Sequence, residues 1–526
     1  MTQSQIHRHT VGDLLRRTAA RLPQKPAIIC GETRWTYREF DLLCNRLANG
    51  LQQQGVQTGD RVAVLSRNSH AFAALRYALA RLGAVIVPIN FMLNAQEANY
   101  ILKHSGASWL AAGPDMIDLA SAAASESAVG QFVLMPGANG GNEVTPKDWL
   151  TFASLISDDP AEPTAEINGG SLLQIIYTSG TESLPKGALL THDAVIWQYT
   201  SCVIEAGIAQ TDLMVHALPL YHCAQLDAFL GPAVYVGATN VITDQPTGEN
   251  ILALIEAHKA NSFFAPPSIW IAMMRSPAFD PQKLAGLNKG YYGASIMPVE
   301  VLRELGGHLP QLQLWNLYGQ TEIAPVATVL QPHEQISHAG SAGRPALNVE
   351  TRVVNDQMQE VKPGEIGEIV HRSPQLLQGY YNDPERTAAA FVGGWFHSGD
   401  LATRDADGYI TVVDRKKDMI KTGGENVASR DVEEAIYTLD GISEVAVIGL
   451  PHDYWIEAVT AVVVVKPDST LTEQAVIEHC RNALAHFKVP KQVVIVESLP
   501  KNPSGKILKR ELRETLTSNA EAGNTP

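Results

Sequence analysis

Alternating helix and strand patterns in the first third of the chain place the strongest constraint on the fold. Thr36 and Glu39 have the spacing of a capping box, and the periodic apolar pattern after them ends at Gly55, which predicts a helix of about seventeen residues. A short strand over 61–65, a helix over 71–81 and an apolar run over 84–88 follow. This β-α-β order predicts an α/β fold with mostly parallel, helix-covered sheets.

The composition is that of a large, acidic, globular chain. Its 526 residues include 40 Lys and Arg against 55 Asp and Glu, a formal net charge of −15, and 45% of the residues are hydrophobic. At roughly 150 residues per domain, this length predicts about two to four domains. Nucleic acid is excluded as a partner, because binding it needs a basic face. An anionic substrate would need local Lys and Arg side chains to overcome the overall charge.

Cysteine usage and apolar segments favour a cytoplasmic location. The 5 cysteines are scattered without a Cys-x-x-Cys pair, which fits a reducing compartment better than a disulfide framework or a zinc ribbon. The first residues show no secretory signal. The longest apolar stretch, 228–238, is much shorter than the ~20 residues of a membrane span, so we interpret it as a buried core segment. Peripheral membrane contact stays open.

A loop rich in glycine and hydroxyl side chains follows a strand predicted over 172–177. Residues 177–187 read Tyr-Thr-Ser-Gly-Thr-Glu-Ser-Leu-Pro-Lys-Gly. The backbone N–H groups and hydroxyls of such a loop can bind a polyphosphate, with Lys186 supplying positive charge. It is not a Walker A loop, because Pro185 and Gly187 stand where that motif has Gly and Ser or Thr. Composition alone leaves an ordinary surface turn as the alternative.

The loop is the first of several motifs that occur in the order of one enzyme family. After it come residues 218–222 (Leu-Pro-Leu-Tyr-His), 292–295 (Tyr-Gly-Ala-Ser), 317–322 (Leu-Tyr-Gly-Gln-Thr-Glu), 395–400 (Trp-Phe-His-Ser-Gly-Asp), 413–418 (Val-Asp-Arg-Lys-Lys-Asp), 421–426 (Lys-Thr-Gly-Gly-Glu-Asn) and 503–506 (Pro-Ser-Gly-Lys). The chain therefore resembles the adenylate-forming (ANL) superfamily, in its acyl-CoA synthetase or fatty-acid–CoA ligase branch. It departs from the family pattern at Glu182 and Ser183, where Thr-Gly is usual. A carboxylate beside a triphosphate is unfavourable unless it points outward or helps to coordinate Mg²⁺, and we expect Glu182 to face solvent.

The resemblance implies a large, multi-sheet N-terminal domain that binds ATP, Mg²⁺ and the acid. The expected phosphate ligands are Thr178, Ser179, Gly180, Thr181 and Lys186, with Thr321 on the α-phosphate and Glu322 on the metal. The expected nucleoside contacts are Gly293, Ala294, Ser295, Tyr318 and Gly319 for adenine, and Asp400, supported by Arg415, for the ribose. The expected acyl pocket contains Tyr221, His222, Cys223, Gly293 and Gly319.

The resemblance also implies a small, mobile α+β C-terminal domain. The predicted domains are 1–416 and 417–526, with the hinge at Lys417 and the catalytic Lys506 between the substrate carboxylate and the α-phosphate. Lys421, Gly423 and Gly424 are expected near the CoA arm, where absent side chains allow close approach. A simple turn at the two glycines and a surface charge at Lys417 are the alternatives. Residues 488–513 reverse the overall charge and fit a role for Lys506; a solvated helix face would account for Lys509 and Arg510 but explains residues 503–506 less well.

The expected enzyme is an AMP-forming acid–CoA ligase with ATP, Mg²⁺ and CoA. A medium- or long-chain fatty acid is the first expectation for the acid, and an aryl or branched acid the second. The rivals are an acyl-AMP ligase that loads a carrier protein and a nucleotide-binding regulatory protein without catalysis. A homodimer is common among members of the superfamily. His333 and His338 stand too far apart in sequence to bind zinc as an i,i+4 pair, and we interpret Cys223 as pocket lining rather than as a nucleophile.

Overall fold

The computed structural model describes residues 6–140, 144–178, 184–295, 297–416, 418–452, 454–466, 469–501 and 507–521. The chain divides into two compact units. Unit 1 comprises Met1–Ala339, Gly343–Glu350 and Arg372–Phe396. Unit 2 comprises Gly340–Ala342, Thr351–His371 and His397–Pro526. The domain boundary expected before Lys417 stays a prediction, and Lys417 itself lies outside the described residues.

Several helices begin where the sequence provides a capping side chain. The helix predicted after Thr36 spans Tyr37–Gln53, and its capping box is confirmed: Thr36 N–H donates to Glu39 Oε2 at 2.8 Å, and Glu39 N–H donates to Thr36 Oγ1 at 3.3 Å. The helix predicted over 71–81 spans His70–Leu82. The other α-helices in the described residues are Val11–Arg21, Ala95–Ser105, Ile117–Ala123, His192–Glu205, Cys223–Gln225, Gly231–Val236, Gly248–His258, Pro267–Arg275, Val299–His308, Pro384–Ala390, Ser429–Tyr437, Glu473–Ala483 and Lys509–Glu521.

Unit 1 contains a seven-stranded sheet that confirms the β-α-β prediction. Within the described part of the chain its strands lie in the order Leu150–Thr151, Gln131–Leu134, Trp109–Ala112, Arg61–Leu65, Val85–Pro88, Leu172–Thr178 and Lys186–Thr191. All neighbouring pairs are parallel except the last, which is antiparallel. Buried Val, Ile, Leu and Ala side chains fill the central strands, as expected for a sheet covered on both faces.

A second, nine-stranded sheet completes the sheet structure of unit 1. Counted over the described residues, its strands lie in the order Arg344–Pro345, Val326–Leu330, Gln313–Gly319, Lys289–Gly293, Ser262–Phe264, Leu213–His216, Thr239–Ile242, Pro26–Cys30 and Thr33–Thr36. The strands from Gln313–Gly319 to Pro26–Cys30 pair in parallel. Their carboxyl ends meet at one edge of the sheet, where ligands of α/β proteins commonly bind.

Unit 2 has a different, mainly antiparallel construction. It contains most of a four-stranded sheet in the order Glu350–Val354, Gly367–Arg372, Phe396–Arg404 and Ile410–Arg415. It also contains a five-stranded sheet in the order Glu425–Val427, Ile420–Thr422, Ile456–Val465 and Ile442–His452, with Gln492–Ile495 parallel to Ile456–Val465. The apolar run seen at 459–465 is the buried part of a long strand of this sheet. Helices pack on the sheet, which gives this part the expected α+β character.

The apolar stretch at 228–238 belongs to the core of unit 1, as predicted. It begins in a π-helical turn, Leu226–Leu230, and continues as the helix Gly231–Val236, and its first seven residues are buried. Among the described helices, none has the length and apolar character needed to cross a membrane.

Candidate active site

A hairpin of the seven-stranded sheet holds both ends of the predicted phosphate loop. The strands Leu172–Thr178 and Lys186–Thr191 pair in an antiparallel register in which Thr178 faces Lys186. The loop is therefore a strand-to-strand connection, unlike the strand-to-helix turn of a Walker A motif. Part of the loop lies outside the described residues, namely the expected phosphate ligands Ser179, Gly180 and Thr181, and Glu182, whose expected solvent orientation stays a prediction.

Side chains of the helix Ala95–Ser105 hold the two ends of this loop. The Tyr100 hydroxyl donates to the Pro185 carbonyl at 3.2 Å, and His104 Nδ1 lies 2.8 Å from the Tyr177 hydroxyl. Tyr100 also stacks on His104, with 5.4 Å between ring centroids. Burial lowers the pKa of His104 and raises that of Tyr177, so a neutral imidazole and a neutral phenol meet here. The sequence carried no signal for this pair, because nothing in its spacing links residues 100 and 104 to the loop.

A segment at 377–381, called the crossing segment here, ties the hairpin to the predicted metal ligand. Its backbone is hydrogen-bonded to the strand Lys186–Thr191: Gln378 N–H donates to Leu189 O at 2.9 Å, and Tyr381 N–H donates to Gly187 O at 2.8 Å. At its other end, Leu377 N–H donates to Glu322 O at 2.8 Å. The crossing segment thereby fixes Glu322 relative to the strand that begins at Lys186.

Glu322 and Thr321 lie in the single 3₁₀ turn Thr321–Ile323, directly after the strand Gln313–Gly319. Both are buried, each with 8% of its surface exposed. Glu322 Oε1 accepts a hydrogen bond of 3.0 Å from the Tyr380 hydroxyl, and the Lys186 ammonium lies 5.0 Å from the centroid of the Tyr380 ring. Burial, together with the adjacent Glu322 carboxylate, raises the pKa of Tyr380, so its hydroxyl keeps the proton that it donates.

Cys223, the predicted acyl-pocket residue directly after the 218–222 motif, lies beside this turn. Cys223 Sγ is 3.2 Å from Thr321 Oγ1, and burial raises the pKa of the Cys223 thiol to about 12. A thiol that keeps its proton is a poor nucleophile, which agrees with the pocket-lining interpretation of Cys223. His222 Nδ1 accepts from Ala224 N–H at 3.1 Å, and the Tyr221 ring packs edge-on against Phe91 at 5.4 Å.

The expected adenine contacts lie at the carboxyl ends of two adjacent parallel strands. Gly293 pairs with Leu317 in the register of Lys289–Gly293 and Gln313–Gly319, so residues 293–295 and 318–319 leave the same edge of the nine-stranded sheet. Neither glycine tolerates a side chain: a Cβ would lie 2.4 Å from Leu317 O at Gly293 and 1.9 Å from Pro325 O at Gly319. Ala294 follows with a left-handed φ of 63°. Backbone packing therefore accounts for both glycines.

In unit 2, the expected ribose ligand is held by the expected arginine. Asp400 and Arg415 face each other across the antiparallel strands Phe396–Arg404 and Ile410–Arg415. Arg415 Nε lies 2.7 Å from Asp400 Oδ1, and the carboxylate is buried. Both roles toward ribose stay predictions.

Gly423 and Gly424 form the turn of a short hairpin in unit 2. They join Ile420–Thr422 to Glu425–Val427, in which Thr422 pairs with Glu425. Their φ angles are 58° and 87°, the left-handed values that a two-residue hairpin turn requires. Lys421, in the preceding strand, has an exposed side chain. The turn alone explains the glycines, so the CoA role of Lys421, Gly423 and Gly424 stays a prediction.

The basic stretch at 488–513 is largely paired with acidic side chains of unit 2. Its ion pairs among the described residues are Lys488–Asp431, Lys501–Glu444, Lys509–Glu433, Arg510–Glu514 and Arg513–Asp418. The interpretation of Lys509 as part of a solvated helix face is wrong: it is mostly buried, 2.9 Å from Glu433. Burial pulls the pKa of Lys509 down, but Glu433 and Asp414 outweigh burial and raise it. The predicted catalytic Lys506 lies outside the described residues.

Comparison with known proteins identifies the family. The chain matches the model described as AMP-binding enzyme over residues 15–381, and the model of the AMP-binding enzyme C-terminal domain over residues 431–506. The chain therefore belongs to the AMP-binding enzyme family. The predicted superfamily, fold class and enzyme class are confirmed.

Relatives of known activity match over nearly the whole chain. The chain is 35% identical to the feruloyl-CoA synthase of an Amycolatopsis species over 498 residues, which are 94% of this chain and 97% of that protein. It is also 35% identical to a long-chain-fatty-acid–CoA ligase of Mycobacterium tuberculosis over 514 residues, 97% of this chain and 99% of that protein. The structure of ATP-bound MatB from Rhodopseudomonas palustris has a TM-score of 0.86 at 28% identity, covering 97% of this chain and 99% of that one.

Proposed function

We propose that this protein is an ATP-dependent acid–CoA ligase that forms an acyl-AMP and then an acyl-CoA thioester. One observation carries the proposal: unit 1 brings the phosphate-loop lysine, Lys186, and the candidate metal ligand, Glu322, to one tyrosine side chain. A cation and a metal-binding carboxylate at such close range suit a polyphosphate with its metal. The acid–CoA ligases among the full-length relatives support the choice of reaction.

Adenylation joins a carboxylate oxygen of the acid to the α-phosphorus of ATP while the bond to pyrophosphate breaks. Negative charge grows at the phosphates, so the protein's task is to position them and to supply positive charge. The proposed residues are Thr178, Ser179, Gly180, Thr181 and Lys186 for the phosphates, Thr321 for the α-phosphate, and Lys506 between the α-phosphate and the carboxylate.

Glu322 fits the role of a magnesium ligand. Its carboxylate is buried, and in the described residues only Oε1 accepts a hydrogen bond, which leaves Oε2 for a ligand. Throughout the described chain, no group of three or more His, Cys, Asp or Glu side chains could hold a metal ion. Mg²⁺ in nucleotide sites commonly takes one or two protein carboxylates, with phosphates and water completing its ligands. When bound, the ion would neutralise phosphate charge.

The remaining ATP contacts are proposed from matching positions. Asp400, held by Arg415, would accept hydrogen bonds from the ribose hydroxyls. The proposed adenine contacts are Gly293, Ala294, Ser295, Tyr318 and Gly319. The sheet-edge position of residues 293–295 and 318–319 supports this assignment, since nucleotides commonly bind at the carboxyl ends of parallel strands.

In the second half-reaction the CoA sulfur bonds to the acyl carbon. The bond from that carbon to AMP breaks, AMP leaves and the thiol proton passes to solvent. We propose that Lys417 is the hinge of the rearrangement between the half-reactions and that Lys421, Gly423 and Gly424 line the CoA approach. Gly424 supports the last assignment, because a Cβ built there meets nothing within 4 Å and a narrow chain such as pantetheine could approach, whereas the Trp455 ring lies 3.0 Å from a Cβ built at Gly423.

For the acid, a medium- or long-chain fatty acid is the first proposal, bound by Tyr221, His222, Cys223, Gly293 and Gly319. The fatty-acid ligase relative supports it. An aryl acid is the second candidate, and the equally similar feruloyl-CoA synthase favours it.

A CoA-ligation screen tests the proposal. The purified protein is given ATP, Mg²⁺ and CoA with fatty acids of increasing chain length and, in parallel, with hydroxycinnamic and benzoic acids. We expect AMP, pyrophosphate and one acyl-CoA series by mass spectrometry, with fatty acids giving the higher kcat/KM. Preference for hydroxycinnamic acids would select the second candidate. Acid-dependent pyrophosphate exchange without any CoA thioester would contradict CoA as the acceptor and direct the test to a carrier protein.

We also propose a cytoplasmic location and a homodimer. The five cysteines of the chain all lie in described segments as buried free thiols, which supports a reducing compartment. Light scattering after size-exclusion chromatography tests the homodimer, and a monomeric mass would refute it.

A further inference from the structure

The Tyr380 side chain contacts two groups that the proposed reaction needs. Its hydroxyl donates to Glu322 Oε1 at 3.0 Å, and the face of its ring lies 5.0 Å from the Lys186 ammonium. Resting on the proposed function, we propose that Tyr380 is a positioning residue that orients the metal-binding carboxylate and the phosphate-binding lysine toward one Mg–ATP complex. Neither the loop motif nor the 317–322 motif contains it.

The hydroxyl restricts the Glu322 carboxylate. A carboxylate at the end of a two-carbon side chain can rotate, and a hydrogen bond to one oxygen selects the rotation in which the other oxygen is available. In the described part of the structure, Oε2 of Glu322 accepts no hydrogen bond, while Oε1 is engaged by Tyr380. Hydrogen-bond donors to metal ligands act in this way, and their loss typically weakens metal binding or activity about 10- to 100-fold.

The ring acts on the other partner. A lysine ammonium over an aromatic face is attracted by the negative charge of that face, and this attraction survives in a partly buried site. Lys186 is the first residue of its strand, and its side chain is long and flexible. Contact with the Tyr380 ring limits where that side chain can place its charge. The hydroxyl and the ring therefore have separable roles, which two substitutions can distinguish.

The backbone around Tyr380 is fixed from two sides. Tyr380 N–H donates to Thr387 Oγ1 at 2.9 Å, and that hydroxyl donates to the Asp383 carbonyl at 2.7 Å. The preceding Gly379 accepts from Leu189 N–H at 3.0 Å, and a Cβ at Gly379 would lie 2.8 Å from Thr387 Cγ2. A backbone fixed at this point gives the Tyr380 side chain a defined starting position, which suits a positioning role.

The test separates the hydroxyl from the ring with Tyr380→Phe and Tyr380→Leu, and uses Tyr381→Phe as the matched control. Tyr381 is the next tyrosine along the segment, and its ring packs edge-on against His104 at 5.8 Å. Binding of Mn²⁺ in the presence of a non-hydrolysable ATP analogue is measured by electron paramagnetic resonance, a readout independent of turnover. Tm is measured for each protein.

We expect Tyr380→Phe to weaken Mn²⁺ binding at least 10-fold with an unchanged Tm, and Tyr381→Phe to bind Mn²⁺ as the wild type does. Tyr380→Leu should also weaken binding of the metal-free analogue about 2- to 5-fold, because it removes the ring from Lys186. With Glu322→Gln as the background, Tyr380→Phe should change Mn²⁺ affinity less than about 2-fold, since the metal-binding carboxylate that the hydroxyl orients is gone.

Wild-type Mn²⁺ affinity in Tyr380→Phe would overturn the proposal. An equal loss in Tyr381→Phe, or a full additional loss in the Glu322→Gln background, would also overturn it by showing a general packing effect. Failure of the proposed function has a different signature: the wild type itself would form no acyl-CoA with any acid in the screen, whatever the binding data show for Tyr380.

Discussion

Two buried carboxylates of unit 1, Asp227 and Glu322, have opposite hydrogen-bond environments. Asp227 accepts from Arg76 at 2.7 Å, from the Gln174 amide at 2.7 Å and from the Tyr199 hydroxyl at 3.1 Å. Glu322 accepts only from the neutral Tyr380 hydroxyl among the described side chains. A buried charge with a full set of partners is already compensated, whereas one with a single neutral donor is not.

The two carboxylates therefore differ in what they do for the protein. Asp227 lies in the π-helical turn Leu226–Leu230 and is wholly buried, and a π turn alone would suggest a functional site. Its partners come from three other elements of unit 1, so it joins those elements together. Within the described residues, Oε2 of Glu322 accepts no hydrogen bond. We therefore propose that Asp227 serves stability and that Glu322 serves the reaction.

The largest expected effect is on stability. Asp227→Ala leaves the Arg76 guanidinium buried without its counter-charge, and breaking such a pair typically costs about 3–5 kcal/mol. Urea unfolding followed by circular dichroism should show this loss. The matched double variant, Arg76→Met with Asp227→Leu, removes both charges and should lose less than Asp227→Ala alone. If the double variant loses more, Arg76 and Asp227 do not form the compensated pair described above.

Glu322→Gln should show the reverse of Asp227→Ala: a loss of activity with stability retained. Removing the carboxylate charge should lower acid-dependent pyrophosphate exchange about 10²- to 10³-fold, equivalent to roughly 2.7–4 kcal/mol in the barrier. Unfolding free energy should change by less than about 0.5 kcal/mol, because the amide keeps the shape and still accepts from Tyr380. A stability loss as large as that of Asp227→Ala, with exchange retained, would erase the distinction between the two carboxylates.

In unit 2 a buried ion pair should likewise contribute to stability, with a smaller loss of unfolding free energy when it is broken. Lys509 pairs with Glu433 at 2.9 Å in a mostly buried position, whereas the neighbouring Arg510 pairs with Glu514 on the exposed side of the helix Lys509–Glu521. Lys509→Ala should lower Tm by the equivalent of about 1–2 kcal/mol. Arg510→Ala is the matched control and should cost under about 0.5 kcal/mol. Equal effects would restore the interpretation of Lys509 as a solvated residue.

Much of the fold could be predicted from the sequence because local signals were strong. The Thr36–Glu39 capping box and the periodic apolar pattern after it predicted the helix Tyr37–Gln53. The apolar runs at 61–65 and 84–88 contain adjacent parallel strands. These features depend on near neighbours in the chain. The sequence did not predict which strands share a sheet, because the order of nine strands depends on contacts far apart in sequence.

The candidate site was predicted less completely, and for a physical reason. Motifs named Glu322 and Lys186, but their common contact, Tyr380, is more than fifty residues from Glu322 and has no spacing that links it to either. The basic stretch at 488–513 shows a second limit of reading charges from sequence. Counting charges there supported the assignment of Lys506, which stays a prediction, but the count did not show that acidic side chains from distant positions, such as Glu433 and Asp418, pair with several of the basic ones.

The smallest expected effect concerns a buried histidine, His192, near the Arg76–Asp227 pair. His192 is buried and its Nδ1 accepts from Val11 N–H at 3.1 Å. Burial, and then the Arg76 charge, lower the pKa of His192 from 6.5 to about 3. Between these values the unfolded chain holds a proton that the folded chain lacks, so stability falls as pH falls. His192→Asn keeps an acceptor for Val11 and removes the titration. Its unfolding free energy relative to wild type should therefore rise by about 1 kcal/mol per pH unit below pH 6. Parallel curves for the two proteins from pH 7 to pH 5 would show that His192 does not titrate in this way.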